Sequence, residues 1–217
     1  MKILSASTTL AVPPTPFDLY SEVCPAEKIV ELRPLRPEIN NTINRKDHNW
    51  VVTPRSIKHT HKFLYQLYTK LTQQEASAQV YKSSHTSACA ILMIHKIDKP
   101  NKARFSYDFV ARNSKTIMEP PDISDQSCII NTIARYPFRS KIDLSNGYNN
   151  IRIHPAHEKH NAFVIPSGTH GTRVMEHDDC NATATVQRIM NNIFRDELGI
   201  YLYLYIDDIL IFSKTYK

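Results

Sequence analysis

Apolar and polar positions along this chain follow two periods. From Thr183 to Leu198, the residues Val186, Ile189, Met190, Ile193 and Phe194 recur at i, i+3, i+4, i+7 and i+8, the spacing of one helix face, and Gly199 is placed to close that helix. Arg55 to about Lys82 reads as a second helix, with Ile57, Leu64, Tyr68 and Leu71 near one face, and Ser127 to Arg135 as a short third one. Other stretches are short apolar runs of strand length. Ala88 to Ile94 and Ala103 to Phe109, joined by the polar stretch 95–102, predict a hairpin, and so do Ile200 to Ile206 and Ile209 to Phe212. Residues 116–127 are rich in proline and acid and read as a loop. Residues 1–54 hold more than half of the 13 prolines and little periodicity, which predicts an irregular leader. Strands and helices mix without a strict βαβ order, so the fold class is α+β, with helices on one face of an antiparallel sheet.

Composition narrows the function. The chain has 217 residues and 41% apolar content, enough to bury a core. Only 4 glycines occur, and neither a Walker loop nor a dinucleotide fingerprint is present. The net charge of +6 is unevenly spread. Residues 1–115 carry 17 Lys+Arg against 9 Asp+Glu, net +8, and residues 116–217 carry 10 against 12, net −2. A basic half suits a polyanion, although many basic proteins bind none. Cys24, Cys89, Cys128 and Cys180 are far apart and form no C-x-x-C motif. No apolar run approaches the ~20 residues of a membrane helix. The reading is a soluble intracellular chain, cytoplasmic or nuclear, with no membrane partner.

The chemistry concentrates in Tyr205-Ile206-Asp207-Asp208, where two carboxylates sit between two apolar runs. Burying two like charges within a sheet is costly, whereas a hairpin tip presents them to a cation. Asp-Asp is also ordinary turn chemistry. A third acid, Asp143, again follows a short strand-like stretch, Arg139 to Ile142. Three aspartates from two strands could hold two hard divalent ions roughly 3.5–4 Å apart, the arrangement used in phosphoryl chemistry.

Lys141-Ile142-Asp143-Leu144-Ser145-Asn146-Gly147-Tyr148, then Ile151-Arg152-Ile153-His154-Pro155, then Tyr205-Ile206-Asp207-Asp208-Ile209-Leu210-Ile211-Phe212-Ser213 resemble the reverse transcriptase of gypsy-type LTR retrotransposons, in a spelling closest to fungal elements. The resemblance runs from about Leu35 to Lys217. It implies the fingers and palm of a right-hand polymerase over 55–217, ending after the hairpin without a thumb. It implies an RNA-directed DNA polymerase in which Asp143, Asp207 and Asp208 hold two Mg2+ or Mn2+ ions. Its partners would be an RNA or DNA template with primer, and deoxynucleoside triphosphates. By the same resemblance Tyr148 excludes a ribose 2′-hydroxyl, Lys96 and Arg104 reach the triphosphate, and Gln187 belongs to the segment that braces the nucleotide.

Departures from the family spelling leave a second reading open, a catalytically decayed nucleic-acid-binding remnant. Asp108 and Asn113 match Asp-x-Arg-x-x-Asn, but Val110 replaces the arginine. In Met175 to Gln187, His177 stands for Gln, Asp178 for Gly, Thr183 for Pro and Val186 for Phe. Asp178 is expected to add negative charge where a triphosphate should lie. An unrelated metal-dependent hydrolase is a third reading. His154, His157 and His160 form an H-x-x-H-x-x-H run, but Pro155 and the alternation before it argue against a regular helix and a shared metal there.

Overall fold

A computed structural model of the chain describes residues 32–36, 39–47, 49–54, 57–96, 99–144 and 146–216. At 93, 95–96 and 99–104 it describes the backbone alone. Of the proposed leader, residues 1–31 lie outside the described residues. Residues 32–54 hold no helix or strand among the described residues, only the bridges Asn41 to Ile153 and Arg45 to Thr116. The chain forms two compact units, which are taken one at a time.

The larger unit spans 29–118 and 148–182. It holds α1 (His61–Ala76), β1 (Val80–Lys82), β2 (Cys89–Lys96), β3 (Lys99–Tyr107), α2 (Val110–Ser114), β5 (Ala162–Ile165) and β6 (Gly168–Thr172). The sheet order is β1-β6-β5-β2-β3, antiparallel except for the β2–β5 pair. The expected β2–β3 hairpin is present, with Ile91 opposite Tyr107 and Ile94 opposite Arg104, and a bulge after His95. Helix α1 begins later than its pattern predicts. Thr60 caps it by accepting the Phe63 N–H at 3.2 Å, so Ile57 lies outside the helix. Its buried stripe is Phe63, Leu67 and Leu71, with Tyr68 exposed. That i, i+4, i+8 set is wholly apolar and packs on Val80, Ile91, Phe105 and Phe163. Strands β5 and β6 carry no clear signal in the sequence. Gly171 makes β6 possible, because a Cβ there would lie 2.6 Å from the Tyr81 ring.

The smaller unit spans 119–147 and 183–217 among the described residues. It holds α3 (Gln126–Ile133), β4 (Phe138–Asp143), most of α4 (Ala182–Ile193), β7 (Leu202–Tyr205) and β8 (Asp208–Ser213). The sheet is antiparallel in the order β4-β8-β7. Helix α4 buries Val186, Ile189 and Met190 as its periodicity predicts, but ends at Ile193. Just beyond it, Phe194 N–H still donates to the Met190 carbonyl at 3.0 Å, so the last apolar residue of the stripe stays on the helix face. Gly199, at φ +78°, belongs to the turn leading into β7 rather than to the helix end. The architecture is α+β.

A buried polar network ties the larger unit together. Arg112 and Asp179 form an ion pair at 3.2 Å with side chains 4% and 2% exposed. Asp179 also accepts from Asn41 Nδ2 and from the Asn181 N–H. Arg112 donates to Asn161 and Asn113, and its guanidinium lies 3.6 Å from the Phe109 ring centroid. Val110, the position where the family spelling has arginine, is 76% exposed. The arginine of this chain stands two residues later and is buried. Removing one member of such a pair strands a charge. Asp179→Ala is therefore expected to cost about 3–5 kcal/mol in urea unfolding, and Arg112→Met with Asp179→Leu to cost less than the single change.

Candidate active site

Strand register brings three aspartates to one end of the sheet in the smaller unit. Asp143 is the last residue of β4 and Asp208 the first of β8, and they are directly paired. Their neighbours Ile142 and Ile209 pair on the opposite face, where Ile209 is buried. The period of two then turns both acids to the other side. Asp207 lies in the two-residue turn between Tyr205 and Asp208.

That turn is held from three sides. Leu144 N–H donates to the Asp207 carbonyl at 3.3 Å, which extends the β4 ladder to the tip. Ile206 N–H donates to Gln187 Oε1 at 2.9 Å. Tyr205 hydroxyl donates to Gln126 Oε1 of α3 at 3.5 Å. Ile206 sits at φ +59°, a left-handed conformation that a β-branched residue adopts only under strain, at about 1–3 kcal/mol. A positive φ at the first turn residue fits the right-handed twist of a hairpin. Gln187 itself is buried, and its Nε2 donates to Asn191 Oδ1 at 3.0 Å. Its amide therefore fixes the hairpin backbone. Nothing in the local sequence announces this, because the partner is a main-chain N–H.

Lys141, two residues before Asp143 on the same strand, supplies the local cation. Its Nζ lies 2.6 Å from Asp208 Oδ2, with side chains 56% and 25% exposed. The ammonium is held above its usual range, first by the hydrogen bond to Asp208 and then by the charges of Asp208, Asp143 and Asp207. All three acids thus act on one positive group. Among the described residues no three His, Cys, Asp or Glu side chains gather closely enough to hold one ion. The donors are nevertheless all oxygen, the chemistry a hard divalent ion requires.

The remaining candidates lie in the larger unit. Tyr148 opens a single 3-10 turn, Tyr148–Asn150, and is half-buried. Lys96 pairs with Lys99 and Arg104 with Ile94 along the β2–β3 ladder, while their side chains lie outside the described residues. Asp178 keeps its charge and is tied to β3. Its carboxylate accepts from Tyr107 N–H at 2.8 Å and Ser106 Oγ at 3.0 Å, and pairs with His177 at 3.0 Å. These hydrogen bonds hold its pKa down against the effect of burial. Asn113 Nδ2 also donates to the Asp178 carbonyl. The altered loop is fastened to β3 through the very residues that depart from the family spelling.

The histidine run lies on a 3-10 helix, Pro155–Asn161, where Pro at the first position costs no hydrogen bond. A period of three brings the rings into one row, with centroids 5.3 and 6.2 Å apart. The Nδ1 atoms of His154 and His157 accept from Ala156 and Ile43 N–H, and that of His160 faces the Arg45 guanidinium, which only donates. Burial lowers the pKa of His157 and takes that of His160 to about 4. With an accepting Nδ1, those two rings keep their proton on Nε2 and are neutral structural acceptors.

Two outcomes follow for the acidic site. Lys141→Ala is expected to tighten Mn2+ binding about tenfold, since a competing cation at the edge of a charged cluster contributes on the order of 1 kcal/mol; calorimetry measures this. Gln187→Ala leaves the Ile206 N–H without its partner. It is expected to cost about 1–3 kcal/mol in unfolding and to speed amide exchange at the 205–208 turn.

Known proteins resemble this chain in sequence and in fold. The retrovirus-related Pol polyprotein of transposon 297 from Drosophila melanogaster is 34% identical over 115 residues, 53% of this chain and 11% of that protein. A putative enzymatic polyprotein of Cassava vein mosaic virus is 29% identical over 131 residues, 60% of this chain and 20% of that one. The chain thus spans a fifth or less of these relatives. In fold it is similar to a foamy viral protease-reverse transcriptase solved with an RNA/DNA hybrid, with TM-score 0.73 and 19% identity over 92% of this chain and 26% of the other. The same kind of enzyme solved with double-stranded DNA gives TM-score 0.74 and 20% identity over 92% and 40%. A family model described as reverse transcriptase (RNA-dependent DNA polymerase) matches residues 35–217, and the chain belongs to that family.

Proposed function

We propose that this chain is the fingers and palm portion of a reverse transcriptase from a gypsy-type, fungal-like LTR retrotransposon polyprotein, and that it carries out RNA-directed DNA synthesis. Residues 55–217 form that portion. The substrates are an RNA or DNA template with its primer, and deoxynucleoside triphosphates. The observation that carries the reading is the direct cross-strand pairing of Asp143 with Asp208, with Asp207 in the adjoining turn. An accident of turn chemistry would not bring an acid from a distant strand into register with the pair.

In this reading Asp143, Asp207 and Asp208 hold two Mg2+ or Mn2+ ions. Such ions lower the pKa of the primer 3′-hydroxyl and neutralise the leaving pyrophosphate. Gln187 keeps the acid-bearing turn in one backbone conformation through the Ile206 N–H. Lys141 keeps the carboxylates compatible with one another until a divalent ion replaces its charge. Tyr148 selects the deoxy sugar by filling the space of a 2′-hydroxyl, and Lys96 and Arg104 bind the triphosphate. Arg suits phosphate through its planar fork, and Lys acts as a point charge.

Primer extension on an RNA template with Mg2+ or Mn2+ tests the proposal. Extension is expected with the unaltered chain, and Asp143→Asn or Asp207→Asn should lower its rate by at least about a hundredfold. Retained binding to primed template with no extension under either metal would favour the decayed remnant instead. Phosphodiester hydrolysis without nucleotide consumption would favour the hydrolase.

A further inference from the structure

Glu176 is a buried carboxyl for which the proposed reaction has no use. It is 5% exposed. Its Oε2 accepts from Asn149 Nδ2 at 3.2 Å, and the same amide donates to the Met175 carbonyl at 3.3 Å. Its Oε1 is buried without a hydrogen-bond partner. Asn149 is the middle residue of the 3-10 turn that begins with Tyr148. The turn continues into a tied segment. Ile151 N–H donates to the Tyr148 carbonyl at 3.1 Å, and Met175 N–H to the Ile151 carbonyl at 2.8 Å. The Glu176 side chain therefore meets the Tyr148 turn at Asn149.

We propose that Glu176 is a positioning residue for Tyr148, anchoring Asn149 and with it the short turn that presents the sugar-selecting ring. The proposal rests on the reading of Tyr148 given above. It adds a proton-dependent element to sugar selection.

The environment favours the neutral carboxyl. Lys70 of α1, Tyr107 of β3, Asn149 of the turn, and His177 and Asp178 of the loop all act on it. Burial is the largest influence and pushes the carboxyl up to about 7. Lys70, the Asn149 hydrogen bond and His177 oppose that rise, and Asp178 adds to it. The folded chain holds this proton more tightly than the unfolded chain, whose carboxyl titrates near 4.5. Stability from this group is therefore undiminished below about 4.5, falls as pH rises, and is fully lost above about 7. A buried charge with one unpartnered oxygen is relieved by local opening to water. That opening loosens the Asn149 anchor.

Hydrogen exchange of peptides covering 146–153, corrected for intrinsic rates, reads the turn without any catalysis. Between about pH 6 and about pH 8.5, protection is expected to fall about tenfold in the unaltered chain. Glu176→Gln keeps an acceptor for Asn149 and carries no titrating proton, so its protection should not change with pH. Asn149→Ala should be poorly protected at both. A flat profile in the unaltered chain, or the same decline in Glu176→Gln, would overturn the proposal. A second arm measures the preference for deoxynucleotides over ribonucleotides during extension. That preference should decline with pH in parallel and be constant in Glu176→Gln. If it stays constant in the unaltered chain while exchange shifts, the link to Tyr148 is wrong. If none of the proteins extends a primer, the polymerase reading falls, and exchange alone decides whether Glu176 holds the turn.

Discussion

The register of β4 against β8 is the constraint on which the acidic site depends. Ile142 opposite Ile209 sets one face of the sheet toward apolar packing, and the strand period then forces Asp143 and Asp208 to the other face together. A slip of one residue would turn the acids inward and the isoleucines out. Burial of Ile209 on β8 and of Leu202 and Leu204, which share its face on β7, opposes that slip. The apolar side of a small sheet thus fixes where its charged side stands. The hairpin tip adds a second restraint. Gln187 reaches from α4 to the Ile206 N–H and holds a β-branched residue in a conformation it would otherwise avoid.

Much of this was legible in the sequence because two signals were strong. The apolar stripe of α4 and the paired apolar runs around Asp207 follow clear patterns, and the elements form within them, with α4 stopping at Ile193 and β7 starting at Leu202. The β2–β3 hairpin was legible for the same reason. The β5–β6 hairpin was not. His170 and Gly171 are poor strand residues by type, and β6 forms because Tyr81 of β1 packs over the bare Gly171 backbone. The buried face of α1 was misread because Ile57 precedes the Thr60 cap.

Among the site residues, the acids were legible because a carboxylate after a strand is an unusual placement. The part played by Gln187 at the turn was hidden, since an amide that serves a backbone N–H leaves no pattern in neighbouring side chains. Asp178 and Arg112 act in groups that a position-by-position spelling does not reveal: Asp178 with Ser106, Tyr107 and His177, and Arg112 with Asp179 and Asn161.

The buried arginine has a consequence for how such a sequence can change. Position 110 is open to solvent, while Arg112 is bound to the fate of Asp179. An apolar residue placed at 112 alone would leave Asp179 charged in a dry interior. The same lock applies to Asp178, whose replacement by glycine would release two groups on β3 at once. At these positions the effect of a substitution is set by the group of partners the residue serves, so paired changes are tolerated where single ones are not.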